Sequence, residues 1–114
     1  DDQTDINWLI RKIINMRIFD DENGKMNLSL QDKHGEALVV SQFTLHASTK
    51  KGNRPSFIKA APPEISKPLY QSFCETFSRE TGHPLERGLF GAMMEVSLVN
   101  NGPVTIMIDS QDRN

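Results

Sequence analysis

The chain has one cysteine, Cys74, and one residue each of tryptophan and tyrosine. A lone thiol excludes an internal disulfide framework. The three histidines, His34, His46 and His83, lie far apart. None has a Cys or His neighbour at ligand spacing, so neither a metal site nor a cofactor is expected. The phosphate-cradling patterns Gly-x-x-x-x-Gly-Lys and Gly-x-Gly-x-x-Gly are both missing. No serine sits in a Gly-x-Ser-x-Gly elbow. No run is long and apolar enough for a membrane span, and the start lacks the basic-then-apolar layout of a signal peptide. The chain therefore reads as cytoplasmic, with no membrane partner. A net charge of −2 also excludes the global basic field that marks many nucleic-acid binders.

What is present suits one ordinary soluble domain: 114 residues, 37% hydrophobic and 25% charged. The charge is segregated. Acidic residues crowd the first 22 positions, whereas Lys50, Lys51, Arg54 and Lys59 follow His46 with no acidic residue among them. Standing alone, that basic segment reads as a solvated loop. Placed after Ser41-Gln42-Phe43-Thr44, it becomes a candidate phosphate contact for a polynucleotide end.

Ile6, Leu9, Ile10, Ile13 and Ile14 recur at helical spacing and predict a helix from Asp5 to Met16, capped by Thr4 or Asp5. Trp8 falls off this stripe and is expected at an edge of the core. Asp20 to Gly24 reads as a turn. A calcium loop fails there, because Phe19 and Leu30 occupy its first and last ligand positions. Ala37-Leu38-Val39-Val40 predicts a short buried strand that delivers Ser41–Thr44 to its end, where open sheets place functional groups. Leu69, Tyr70, Phe73, Cys74 and Phe77 predict a second helix over Ser66–Thr81, stopped by Gly82 and Pro84. Cys74 lies on its apolar stripe and reads as a small core residue. Met93–Val99 and Val104–Ile108 read as two further strands.

Between those strands lies Asn101-Gly102-Pro103-Val104-Thr105. Asn-Gly alone signals a tight hairpin. The added proline removes a donor and permits a cis bond, with the isomer left open by the residues. Thr44 with His46 is a candidate nucleophile and base, provided the strand continues so that both face one way.

Several segments together resemble the D-aminoacyl-tRNA deacylase (D-tyrosyl-tRNA deacylase) family along almost the whole chain. They are Arg17-Ile18-Phe19, Gly24-Lys25-Met26-Asn27, Ser41 to Leu45, Lys51 to Phe57, Ala61-Pro62-Pro63, Phe90 to Met94, and Asn101 to Thr105. The resemblance implies a layered β/β/α domain with two main helices, paired as a homodimer. Members of the family open with several strands ahead of the first helix. This chain starts at Asp1, so a single deacylase domain over residues 1–114 without those strands is expected.

The resemblance further implies hydrolysis of the ester that joins a D-amino acid, or mischarged glycine, to the acceptor end of tRNA. Ser41, Gln42, Phe43 and Thr44 would build the catalytic wall, with main-chain N–H groups around Gln42 and Phe43 as oxyanion donors. Gly102 and Pro103 of the other subunit, joined by a cis bond, would enter the pocket and exclude L-substrates, with Met94 as a wall. Lys50, Lys51 and Arg54 would bind tRNA. The attacking water would be assisted by the RNA's own 2′-hydroxyl, with Thr44 as a covalent nucleophile the alternative. A non-catalytic nucleic-acid-binding module and an inactive fragment are the competing readings.

Overall fold

The computed structural model describes residues 1–113, a mixed α/β chain with two helices and two small sheets. Helix α1 runs Gln3–Asn15. Its cap is Asp2, whose carboxylate accepts from Thr4 N at 2.9 Å and Asp5 N at 3.4 Å. Asp5 returns the contact by accepting from Asp2 N at 3.0 Å, which closes a capping box. The start thus falls earlier than Thr4 or Asp5, because two aspartates three apart satisfy each other's main chain. Ile6, Ile10 and Ile14 of this helix are buried, and Ile10 is fully so.

Helix α2 spans Pro63–Thr81, beginning three residues before the expected Ser66. Pro63 occupies the first turn, where a missing N–H leaves no bond unmade. Gly82 ends the helix in the left-handed region at φ 73°, and its N–H donates to Ser78 O. Phe77 joins the three isoleucines in the core, with Ile13, Leu30, Ala37, Leu69, Phe73 and Leu85 around them. Cys74 is buried as expected. Polar contacts fix the register of the two helices. Ser72 Oγ donates to Gln3 Oε1 at 2.7 Å, and Gln3 Nε2 donates to the buried Thr76 Oγ1 at 3.3 Å.

Strands β1 (Phe19–Asp20) and β2 (Met26–Leu28) form an antiparallel pair. The turn between them is organised by Asp21, whose Oδ1 accepts from Asn23 N and Lys25 N, with Gly24 at φ 75°. These bonds are the reason the segment is a turn. Strands β3 (Leu38–Val39) and β4 (Glu86–Arg87) pair in parallel. Trp8 is half-buried beside the chain end, with the Arg113 guanidinium 4.6 Å and the Lys12 ammonium 5.8 Å from its ring centre.

Two expectations fail here. The strand expected over 37–40 shrinks to Leu38–Val39, and Leu38 is 62% exposed, so it is not a buried strand. Met93–Val99 and Val104–Ile108 form no strand at all. The physical reason is pairing: an apolar extended run becomes a strand only when a neighbour takes its N–H and C=O groups. Among the described residues no such neighbour is aligned with these runs, and Met93, Val99 and Met107 stand almost fully exposed. The β-favouring composition is there without its partner.

Candidate active site

The candidate site residues Ser41–Thr44 and Met94 follow the C-terminal ends of β3 and β4. Their ladder consists of Glu86 N donating to Ala37 O at 3.2 Å and Gly88 N donating to Val39 O at 2.8 Å. Beyond Val39 the chain leaves the sheet through Val40 and Ser41. Gln42 is extended, and Phe43–Leu45 then forms a single turn of 3₁₀-helix. Leu45 N donates to Gln42 O and His46 N to Phe43 O. The N–H groups of Gln42, Phe43 and Thr44 donate to no acceptor among the described residues. Ser41 is half-buried, while Gln42, Phe43 and Thr44 are exposed. Three successive main-chain donors therefore stand open at the end of a strand, where an incoming oxygen can meet them.

The 3₁₀ turn breaks the condition for a Thr44–His46 pair, because the strand does not continue past Val39. Thr44 Oγ1 accepts instead from Gln42 Nε2. Phe43 packs edge-on against Phe57, with ring centres 5.3 Å apart. That contact brings the far end of the basic loop back to the motif. Ser48 and Ser56 close the loop with reciprocal main-chain bonds of 2.8 Å, leaving Lys50, Lys51 and Arg54 exposed at its tip. The cations thus share one side-loop anchored beside the open donors.

Met94 arrives from the other strand end. A Cβ on Gly88 would lie 3.1 Å from Met94 Sδ and 3.4 Å from Val40 Cγ1. Gly88 is therefore the gap through which Met94 approaches the strand that leads into Ser41. The Asn101–Thr105 segment is a turn of its own. The Gly102–Pro103 bond is cis, Gly102 sits at φ 136°, and both residues are exposed. Asn100 Nδ2 donates to Thr105 Oγ1 at 3.3 Å across this turn. Among the described residues no hydrogen bond joins it to Ser41–Thr44.

Two residues near the site were not singled out from the sequence for this position. Gly88 gave no signal, since one glycine after a short charged run is unremarkable. Tyr70 was read only as part of the α2 stripe. Its hydroxyl lies 2.7 Å from Gly88 O and 3.2 Å from Val39 O. A tyrosine among phenylalanines and leucine on a buried face is the available clue, because a buried phenol needs a partner. Among the described residues no group of three His, Cys, Asp or Glu side chains is placed to hold a metal ion. No described helix is long and apolar enough to cross a membrane.

Open backbone donors with no acid or base hydrogen-bonded to Thr44 among the described residues are an uncommon basis for a site. The family described as D-Tyr-tRNA(Tyr) deacylase matches residues 1–109. A D-aminoacyl-tRNA deacylase of Flavobacterium psychrophilum is 62% identical over 99% of this chain and 75% of its own length. Those of Bacteroides thetaiotaomicron and Parabacteroides distasonis are 61% and 59% identical over the same shares. Among solved structures, a c-Myc DNA unwinding element binding protein superposes with a TM-score of 0.83 at 43% identity, covering 93% of this chain and 72% of that one. A match spanning both the Ser41–Thr44 and the Asn101–Thr105 motifs, at this level of identity, means that the chain belongs to the D-Tyr-tRNA(Tyr) deacylase family.

Proposed function

We propose that this chain hydrolyses the ester bond of D-aminoacyl-tRNA, releasing the free D-amino acid and the tRNA. The observation that carries the reading is the set of unengaged N–H groups of Gln42, Phe43 and Thr44 at the end of β3. Ester hydrolysis places negative charge on the former carbonyl oxygen, and preorganised main-chain donors stabilise it without reorganising. Removing one such donor from a comparable hole costs roughly 2.7–4 kcal/mol of barrier, which is the scale of help this wall supplies. Among the described residues no side-chain base is hydrogen-bonded to Thr44, so the attacking water is assisted by the 2′-hydroxyl of the terminal ribose. Ser41 orients the wall, and Met94 lines it.

Chirality is read by geometry. In a homodimer, Gly102 and Pro103 of one subunit enter the pocket of the other, and main-chain carbonyls hold the substrate's α-amino group. A D-side chain then points to solvent, and an L-side chain meets backbone. Glycine passes because it has no side chain to clash. Lys50, Lys51 and Arg54 hold phosphates of the acceptor end, and the reaction belongs in the cytoplasm, where charged tRNA is found.

The test is turnover. Catalytic amounts of the protein are incubated with D-tyrosyl-tRNA and L-tyrosyl-tRNA, and release of the amino acid is followed. Multiple turnovers on the D-ester alone are expected; stoichiometric or no release overturns the reading. A second reading, a nucleic-acid-binding module without catalysis, draws support from the name of the similar solved structure and from the exposed basic loop. It predicts saturable binding of the acceptor end with no turnover.

A further inference from the structure

The hydroxyl of Tyr70 reaches from helix α2 to the two strand ends from which the site is built. It carries one proton and lies within bonding distance of two carbonyls, Gly88 O at 2.7 Å and Val39 O at 3.2 Å. The shorter contact marks Gly88 O as the main acceptor. Val39 O already accepts from Gly88 N at 2.8 Å, so phenol, Val39 and Gly88 form one closed polar knot. The ring is fixed independently, against Phe90 with centres 5.8 Å apart. Burial, with Cys74 alongside, raises the phenol's pKa above its ordinary 10.0, so the hydroxyl keeps its proton throughout the working range.

What leaves the knot matters as much as the knot. Two residues beyond Val39 is Ser41, followed by the open donors of Gln42, Phe43 and Thr44. Two residues beyond Gly88 is Phe90, followed by the segment carrying Met94. A shift of either strand end passes directly into one wall of the pocket. Oxyanion donors act only when aimed to within a fraction of an ångström, so such a shift is felt in rate before it is felt in affinity.

We propose that Tyr70 is a positioning residue of the deacylation: by bonding the ends of β3 and β4 it sets the Ser41–Thr44 wall against the Met94 wall. This rests on the deacylase reading of the site. The ring packs against Phe90, and the hydroxyl, separately, aims the donors.

Tyr70→Phe separates the two roles, because it keeps the ring and removes only the clamp. In the full chain, kcat on D-tyrosyl-tRNA is expected to fall about tenfold with KM within about twofold, as misaimed donors weaken the transition state more than binding. Backbone amide resonances of Gln42–Thr44 and Gly88–Met94 are expected to shift, and Gly88 N–H to exchange faster with solvent. Gly88→Ala, which crowds Met94 from the other side, is expected to give the same kcat-weighted loss. Unchanged resonances and exchange in Tyr70→Phe overturn the clamp whether or not the protein is active. Changed resonances with unchanged kcat leave the clamp structural and overturn the positioning role. An inactive parent protein refutes the deacylase reading instead, and the spectra still decide the clamp.

Discussion

Gln42 donates its side-chain amide to the hydroxyl of Thr44 two residues along, so the hydroxyl that ends the motif faces a donor and not a base. A nucleophilic threonine needs a partner that takes its proton. His46, two positions further, follows the 3₁₀ turn and makes no side-chain hydrogen bond to Thr44 among the described residues.

Thr44→Ala is therefore expected to keep deacylation within about tenfold of the parent, since the main-chain donors survive the change. A covalent route through Thr44 would lose several orders of magnitude. Single-turnover rates on D-tyrosyl-tRNA separate the two, and an acyl-threonine trapped by acid quench would end the water-attack mechanism.

The basic loop makes a different kind of claim, about affinity and not rate. Lys50, Lys51 and Arg54 are exposed on a loop whose ends are tied by Ser48 and Ser56. Converting all three to glutamate should leave folding intact and weaken tRNA binding. The slope of log affinity against log salt should drop by about two, as three phosphate contacts are lost. Hydrolysis of a short D-aminoacyl-adenosine, which has no phosphate track, should change little. Equal damage to both substrates would make the loop part of the pocket and not a tRNA contact.

Acid should unfold the chain through its turns and caps. Asp5, Asp21 and Asp32 all have pKa values below the ordinary 3.8, led in each case by a main-chain N–H: that of Asp2, of Lys25 and of Ser29. A depressed folded-state pKa gives stability that is complete above the ordinary value and is lost as pH falls through the depressed one. Melting temperature should be flat above about pH 5 and decline below it. In Asp5→Asn the decline should be shallower, because one of the protonations that drives it is gone. An identical acid limb in the variant would show that the cap contributes nothing to it.

The helices were legible because their signals are local. The isoleucine stripe, the phenylalanine stripe and Gly82 all act within a turn or two of chain, and each did what its spacing said. Asp2 was missed as the cap because the reciprocal partner, Asp5, looked like a cap itself. The motif at the end of β3 was legible as a place, not as a shape. Strand end and basic loop follow from sequence order, but the 3₁₀ turn that separates Thr44 from His46 does not. The runs 93–99 and 104–108 show the limit. Alternating apolar residues state a preference for a sheet, and only a neighbouring strand can realise it. Tyr70 was hidden by the same logic: helical spacing identifies a buried face and says nothing of which carbonyls that face will meet.

Gly102 gives the sharpest remaining test, because its backbone and its surroundings both exclude a side chain. It sits at φ 136°, where L-residues are rarely found, and a Cβ there would lie 3.1 Å from Val104 N and 3.3 Å from Val104 Cγ2. The segment is exposed and lies outside the isoleucine–phenylalanine core, so Gly102→Ala should strain the loop and lower the melting temperature modestly while the core stays folded. If Gly102 and Pro103 enter a partner's pocket, the added methyl both redirects the loop and occupies the space meant for the substrate's amino end. Deacylation of D-tyrosyl-tRNA should then fall at least a hundredfold, about the cost of a misplacement of an ångström at a reacting centre. Mixing Gly102→Ala subunits with subunits in which Gly88→Ala damages the opposite wall tests whether the pocket is shared. A shared pocket restores one intact site per heterodimer and with it part of the activity, whereas a turn that serves only its own chain restores none. A folded Gly102→Ala protein with undiminished rate would reduce Asn101–Thr105 to an ordinary surface turn.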